Sequence, residues 1–358
     1  MPQSTAPGGV APATANREME PVTGAQPYIS VNNIQKTYFP SPPWMKALVR
    51  TNIKEPVVAI ENVSFEAGPG EIIAIVGPNG AGKTTTFRIL VGLTTPTSGE
   101  ARIMGLDSTL DSTRVRSTVG WMPGDDRSLL MRLSCKENLL FHGRMQGMDS
   151  KQMKQRVPEV LEQVGLGHAA NKTIFALSAG MRARIQLARA IFHSPKVLIL
   201  DEPTGAVDPV ASHGLLNLII DIVKENQLAA LISSHRLEEI EALHSRVLLL
   251  DRGKVRYDGD LDSLREILDR PCIEFDFANP ERALHARTLV ETQFPKSTVS
   301  VVEETTVRCI LSSGRTAGDV LTQLTPVLAD VEHLREVQRP LRDLLAEIYL
   351  GADTEGAA

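Results

Sequence analysis

Lys83 and Thr84 end a stretch whose other residues suit backbone shape more than side-chain chemistry. Gly77, Pro78, Asn79, Gly80, Ala81, Gly82, Lys83 and Thr84 match G-x-x-x-x-G-K-[ST] in full, and Thr85 continues the run. Glycines let the chain curl with successive N–H groups pointing inward, and a helix starting there adds the positive end of its dipole. A lysine at this position reaches the outer phosphates as a point charge, and the hydroxyl after it can ligate Mg²⁺. The spacing predicts a loop that binds a nucleoside triphosphate.

Such a loop needs a carboxylate for the metal ion, placed at the end of a neighbouring strand. Asp201 follows the apolar run VLIL and suits that place. Glu202, beside it, is positioned to polarise an attacking water as general base. Read in isolation, the pair could also cap a strand by chance, the less favoured of the two readings. His235 closes ALISSH, behind Ser233 and Ser234. A lone histidine is usually structural, but this one ends a strand on the edge where ligands collect in open parallel sheets.

The elements that must carry these groups show in the pattern around them. Residues 72–76 form an unbroken apolar run, short enough for a strand buried on both faces. A helical pattern follows from Thr85, with Phe87, Leu90 and Val91 on one face. Residues 197–200 and 228–232 read as strands, 210–225 as a helix, and another helix starts at Leu237. VLLLDRGKVRYDG reads as two strands joined around Gly253. Strands alternating with helices predict a largely parallel sheet covered on both sides.

Ahead of the loop, YISVNNIQKTYF and VVAIENVSF read as strands of an antiparallel region. Between them lies an insertion, residues 39–56, broken by prolines. It places Trp44, Leu48 and Val49 at helical spacing beside Lys46, Arg50 and Lys54. Such a segment suits a lipid interface, a partner's helix or a flap on its own domain. Residues 111–176 read as mainly helical, clearest over 153–164, with Pro158 marking a break or a first turn. After Arg270-Pro271 the composition shifts to an α+β module. It reads as strand CIEFDF, helix 281–294, hairpin STVSVVEETTVRCIL, helix 315–328, strand HLREV and helix 341–350.

The 358 residues allow one large domain or two ordinary ones, and the 42% hydrophobic content is that of a globular protein. A net charge of −5 and the lack of a basic patch speak against a nucleic-acid partner. Cys135, Cys272 and Cys309 are odd in number and far apart. They fit neither a disulfide framework nor a metal site and are expected to be buried thiols. No apolar run approaches the roughly 18 residues that span a bilayer. Residues 1–27 are rich in proline and alanine and are expected to form a disordered tail without the features of a signal peptide.

LSAGMRARIQLARAI, residues 177–191, resembles the signature motif of ATP-binding-cassette (ABC) ATPases, usually written LSGGQ. The resemblance runs over residues 28–260 with its parts in order. Tyr38 matches the aromatic that stacks on adenine, and residues 77–85 match Walker A. Ser178, Ala179 and Gly180 form the signature, and residues 197–202 match Walker B. Asp208 in GAVD matches the D-loop aspartate and His235 the switch histidine. The implied fold is α/β, a P-loop NTPase of the ABC ATPase type with an antiparallel β region and a helical subdomain. The nucleotide-binding domain would span residues 28–270, its helical subdomain about 111–190, and a small C-terminal α+β accessory domain would occupy 271–358.

The same resemblance implies an ATPase that binds ATP and Mg²⁺. Thr84 and Asp201 would hold the metal, with Lys83, Glu202 and His235 catalytic. Two copies would close head to tail around two ATP molecules, with Ser178 of one completing the site of the other. The chain would therefore act as a homodimer or pair with a similar subunit. It would drive a separate transmembrane permease subunit from the cytoplasmic face of the cell membrane.

The chain departs from the common pattern in two places. Ala179 and Met181 replace Gly and Gln, and this LS-x-GM form resembles exporters of the ABC-2 type, which move drugs, lipids or polysaccharides outward. Gly124, in VGWMPGDDRS, stands where the family's Q-loop glutamine falls. Asp125 or Asp126 is the candidate substitute toward Mg²⁺ or its water. The C-terminal PLRDLLAEIYLG resembles the terminal element of drug-resistance exporter ATPases, which implies a regulatory or dimer-supporting role. The alternatives are a soluble ABC ATPase outside transport and an ATP-sensing module. A single cassette without long coiled coils argues against the first. Glu202 and His235 argue against the second, while Gly124 keeps it open.

Overall fold

Short apolar strands between turn residues set the architecture. A computed structural model describes residues 26–40, 55–125, 128–268, 272–293, 298–311 and 331–337. β1 (Ile29–Tyr38) and β2 (Val57–Ala67) pair antiparallel and precede β3 (Ile72–Val76), the phosphate loop and α1 (Lys83–Leu90). β4 (Ser98–Ile103), β5 (Leu106–Asp107), α2 (Ser112–Thr118) and β6 (Val119–Met122) follow. Next come α3 (Cys135–Met145), α4 (Ser150–Gln163) and α5 (Ala179–Ile191). β7 (Val197–Asp201), α6 (Pro209–Asn226), β8 (Ala229–Ser234), α7 (Leu237–Leu243), β9 (Arg246–Asp251), β10 (Lys254–Asp260) and α8 (Leu261–Leu268) continue the chain. The last described elements are β11 (Cys272–Phe277), α9 (Pro280–Gln293), β12 (Thr298–Glu303), β13 (Thr306–Ile310) and β14 (Val331–Glu336).

The central sheet runs β10-β9-β3-β8-β7-β6. It is parallel from β9 to β6, with β10 antiparallel at one edge. Its inner strands serve two cores at once. Ile72, Ala74 and Val76 of β3 join the core shared with α3 to α6, whereas Ile73 and Ile75 join the core shared with β1, β2, β4 and α1. β7 splits the same way, Leu198 and Leu200 against Val197 and Ile199. This period of two explains why the strands read as unbroken apolar runs rather than alternating ones. The second sheet runs β2-β1-β4-β5, and a third, β12-β13-β11-β14, packs on α9 around Phe275, Val307 and Cys309.

Two details differ from the sequence reading. The stretch 111–176 is helical in α2, α3 and α4, yet β6 lies inside it as an edge strand paired parallel with β7. VGWM is too short to show a period, and only its pairing makes it a strand. Pro158 neither starts nor breaks a helix but lies inside α4. Burial of Met153, Val157, Val160 and Leu161 along one stripe outweighs the missing N–H. All three cysteines are buried, and none is in a disulfide. Burial, with Cys272 nearby, pushes the Cys309 thiol up to about 12, as expected of an inert group. The tail, most of the insertion and the helices expected at 315–328 and 341–350 lie outside the described residues.

Candidate functional site

The phosphate loop passes so close to its neighbours that side chains are excluded. A Cβ on Gly77 would collide with the Leu250 carbonyl, and Gly82, at φ 107°, would bring one to 2.7 Å from the Ala59 oxygen. Gly82 also caps α1 without a side-chain hydrogen bond, and the first turn carries no acidic residue. The first-turn N–H groups are thus left to an anion, reinforced by the helix dipole. Lys83 bends back over the loop, donating from Nζ to the carbonyls of Gly77 (2.6 Å) and Pro78 (3.2 Å). Burial lowers its pKa from the ordinary lysine value, while Glu202 and Asp201 pull the other way. A phosphate arriving here replaces two neutral acceptors with an ionic one.

Asp201 reaches the loop from the end of β7. Thr84 Oγ1 donates to Asp201 Oδ2 at 2.9 Å, and Ser233 Oγ donates to Asp201 Oδ1 at 2.6 Å. Ser233 in turn accepts the Glu202 N–H at 2.9 Å. Glu202 takes a left-handed backbone, φ 47°. Its Oε1 lies 3.3 Å from His235 Nδ1. The register puts Val76 beside Ser234 and Asp201 beside Ser233, so all these groups share the carboxyl edge of β3, β8 and β7. No cluster of three or more His, Cys, Asp or Glu able to hold a metal occurs among the described residues. A hydroxyl and one carboxylate suit Mg²⁺, which keeps several waters and takes further oxygens from phosphates.

Gly124, after β6, lies against this edge. A Cβ there would sit 3.1 Å from the Asp201 carbonyl, so a side chain would press on the end of β7. Asp125 accepts a hydrogen bond through its backbone carbonyl from Gln186 of α5, and Asp126 is outside the described residues. Tyr38 ends β1 opposite Val57, with the Lys36 ammonium 5.1 Å from its ring centre. Ser178 and Asp208 cap their own helices, accepting from Met181 and Ala211. Their hydrogen bonds do not reach the phosphate loop. Gly180 packs near Val207 and Ala211, which sets the signature beside the start of α6.

One cluster escaped the sequence reading. Glu239 of α7 is buried and accepts from Thr204 Oγ1 (2.7 Å), Ser234 Oγ (2.6 Å) and Arg236 (3.2 Å). Thr204 follows Glu202 closely and Ser234 precedes His235. One carboxylate therefore ties together the segments that carry the two groups 3.3 Å apart.

Comparison with known proteins decides the family. The ABC transporter family model matches residues 60–205. The doxorubicin resistance ATP-binding protein DrrA of Mycobacterium tuberculosis is 35% identical over 66% of this chain and 67% of its own. The bacitracin transport ATP-binding protein BcrA of Bacillus licheniformis is also 35% identical, over 66% of this chain and 74% of its own. The chain belongs to the ATP-binding subunits of ABC transporters. It is an ATP-binding, ATP-hydrolysing cassette. The dimeric structure of MJ0796, a bacterial ABC transporter cassette, superposes with a TM-score of 0.56 at 26% identity. That match covers 65% of this chain and 98% of MJ0796.

Proposed function

We propose that this cassette powers an ABC-2 type exporter, working as a pair of cassettes on a separate transmembrane permease subunit at the cytoplasmic face of the membrane. The cargo class is a drug, lipid or polysaccharide. The relatives named for doxorubicin resistance and bacitracin transport support this, as does the LS-x-GM signature. No described helix is long and apolar enough to cross a membrane, which fits a pore supplied by another chain. Residues 28–270 form the nucleotide-binding unit and 271–358 an accessory unit.

In this reading Lys83 neutralises phosphate charge while Thr84 and Asp201 hold Mg²⁺, which screens the phosphate oxygens when bound. Glu202 takes the proton of the attacking water. His235 orients Glu202 and contacts the γ-phosphate. Ser178 of the second cassette donates to the same phosphate. The observation that carries the chemistry is the convergence of Thr84 with Asp201 at 2.9 Å and Glu202 with His235 at 3.3 Å on one sheet edge. Affinity purification of the tagged chain from detergent-solubilised membranes tests the transport part. A permease subunit should co-purify and raise ATP turnover. An active cassette with no membrane protein attached would favour a role outside transport.

A further inference from the structure

Glu202 and His235 come from different loops, one leaving β7 and the other leaving β8, and both side chains are partly exposed. A single contact of 3.3 Å between two such groups does not by itself fix their separation. The residue after the histidine reaches across the gap. Arg236, at the start of α7, extends its guanidinium to the loop between β7 and α6. Its Nη1 donates to the Val207 carbonyl at 3.2 Å and to Ser212 Oγ at 3.3 Å, and its Nη2 to the Gly205 carbonyl at 3.5 Å. Nη1 also lies 3.2 Å from Glu239 Oε1.

The plainer uses of this arginine would be to cap α7 or to neutralise the buried Glu239. Its side chain makes no cap hydrogen bond, and its N–H goes to Ser234 Oγ at 3.0 Å. Glu239 already accepts from two hydroxyls, and a lysine would bring it the same countercharge. A lysine has no planar fork of fixed donors, and here that fork serves three acceptors on the far loop. The loop needs such a hold from outside. The N–H groups of Gly205 and Val207 bond within it, to the carbonyls of Glu202 at 3.0 Å and Thr204 at 2.9 Å. The carbonyls of the same two residues meet the guanidinium.

We propose that Arg236 is a positioning residue for ATP hydrolysis, clasping the loop that follows Glu202 to the segment that carries His235. Ser212, buried at the start of α6, fastens the far end of the clasp, and Glu239 fastens the near end. The clasp sets the separation of a base and its histidine, where a small misplacement is costly in rate. It rests on the roles given above to Glu202 and His235.

Phosphate release by the full chain, followed against ATP concentration, tests the clasp. Arg236→Gln should lower kcat roughly tenfold to a hundredfold while the ATP KM holds. Arg236→Lys keeps a charge beside Glu239, which guards the fold should Arg236→Gln unfold, and it should lower kcat as well. In a His235→Ala background the same substitutions should cost much less, because the geometry they disturb is already gone. Full activity per folded chain in Arg236→Lys would overturn the proposal, and so would a raised KM at unchanged kcat. An equal loss with and without His235 would make Arg236 a structural group and overturn it too. If His235→Ala is impaired and Arg236→Gln is not, the clasp alone falls. If His235→Ala by itself keeps full kcat, the role given to the histidine fails and the clasp falls with it.

Discussion

Glu202 sits in a backbone region that costs a non-glycine residue about 1–3 kcal/mol. It stays there because Ser233 takes its N–H and Asp201 in turn takes the Ser233 hydroxyl. With Glu202 as base, Glu202→Gln should bind ATP normally and turn over at least about a hundredfold more slowly. Phosphate release at saturating ATP measures this, and near-normal turnover would remove Glu202 from the mechanism. Glu239 acts one step back, through its grip on Thr204 and Ser234. Glu239→Gln should lower kcat while the ATP KM holds, because the ground-state phosphate contacts do not involve it. An unchanged kcat, or a loss matched by a fall in folded fraction, would make it a purely structural group. For Asp125, Asp125→Ala should raise the Mg²⁺ concentration needed for turnover, and an unchanged Mg²⁺ dependence would end its candidacy. The first of these carboxylates was legible in the sequence and the second was not. Glu202 follows VLIL at a strand end, whereas LEEIEAL offers Glu238, Glu239 and Glu241 with nothing in spacing to separate them. Only the packing of α7 buries Glu239 and leaves Glu238 exposed.

Among elements, legibility followed length and burial. β3, β7 and β8 announce themselves because both faces are buried, so every position is apolar. β6 offers four residues and borrows its identity from β7. α3 starts with a capping box, Ser134 with Glu137, yet the same helix brings a histidine into its packed face. Burial first, then Arg189 and His193, hold His142 down to about 4. An unfolded chain protonates this histidine near its ordinary value of 6.5, while the folded chain resists. The unfolded state therefore binds more protons between those two values, and folding stability falls as pH drops through that window. The loss amounts to roughly 3 kcal/mol for His142 at about 1.4 kcal/mol per unit. His193, also lowered by burial, adds in the same direction. Urea melts at pH 7.5 and pH 5 should show about 2 kcal/mol of this fall, and His142→Phe should flatten it. An equal pH dependence in that variant would place the sensitive group elsewhere.

At the scale of the whole molecule the proposed pairing makes a testable demand on the signature. One chain supplies one phosphate loop and one signature, and among the described residues the Ser178 hydrogen bonds stay within α5, to Met181 and Arg182. Ser178 Oγ accepts from the Met181 N–H at 3.2 Å, which leaves its hydroxyl proton to donate outward from the start of α5. Ala179 and Gly180 follow as first-turn N–H donors with no acidic residue among them, the end of a helix dipole that favours negative charge. The MJ0796 cassette forms a dimer, and a head-to-tail pair here would set this helix start against the partner's γ-phosphate. The Glu202→Gln variant, holding ATP unhydrolysed, should then elute as a dimer with ATP and Mg²⁺ and as a monomer when EDTA removes the metal. Adding Ser178→Arg places a bulky side chain at the helix start, away from the variant chain's own phosphate loop. It should abolish the dimer while a fluorescent ATP analogue still binds each monomer with unchanged affinity. A dimer that survives Ser178→Arg would put the signature outside the interface, and loss of nucleotide binding in the monomer would mean that α5 contributes to its own site.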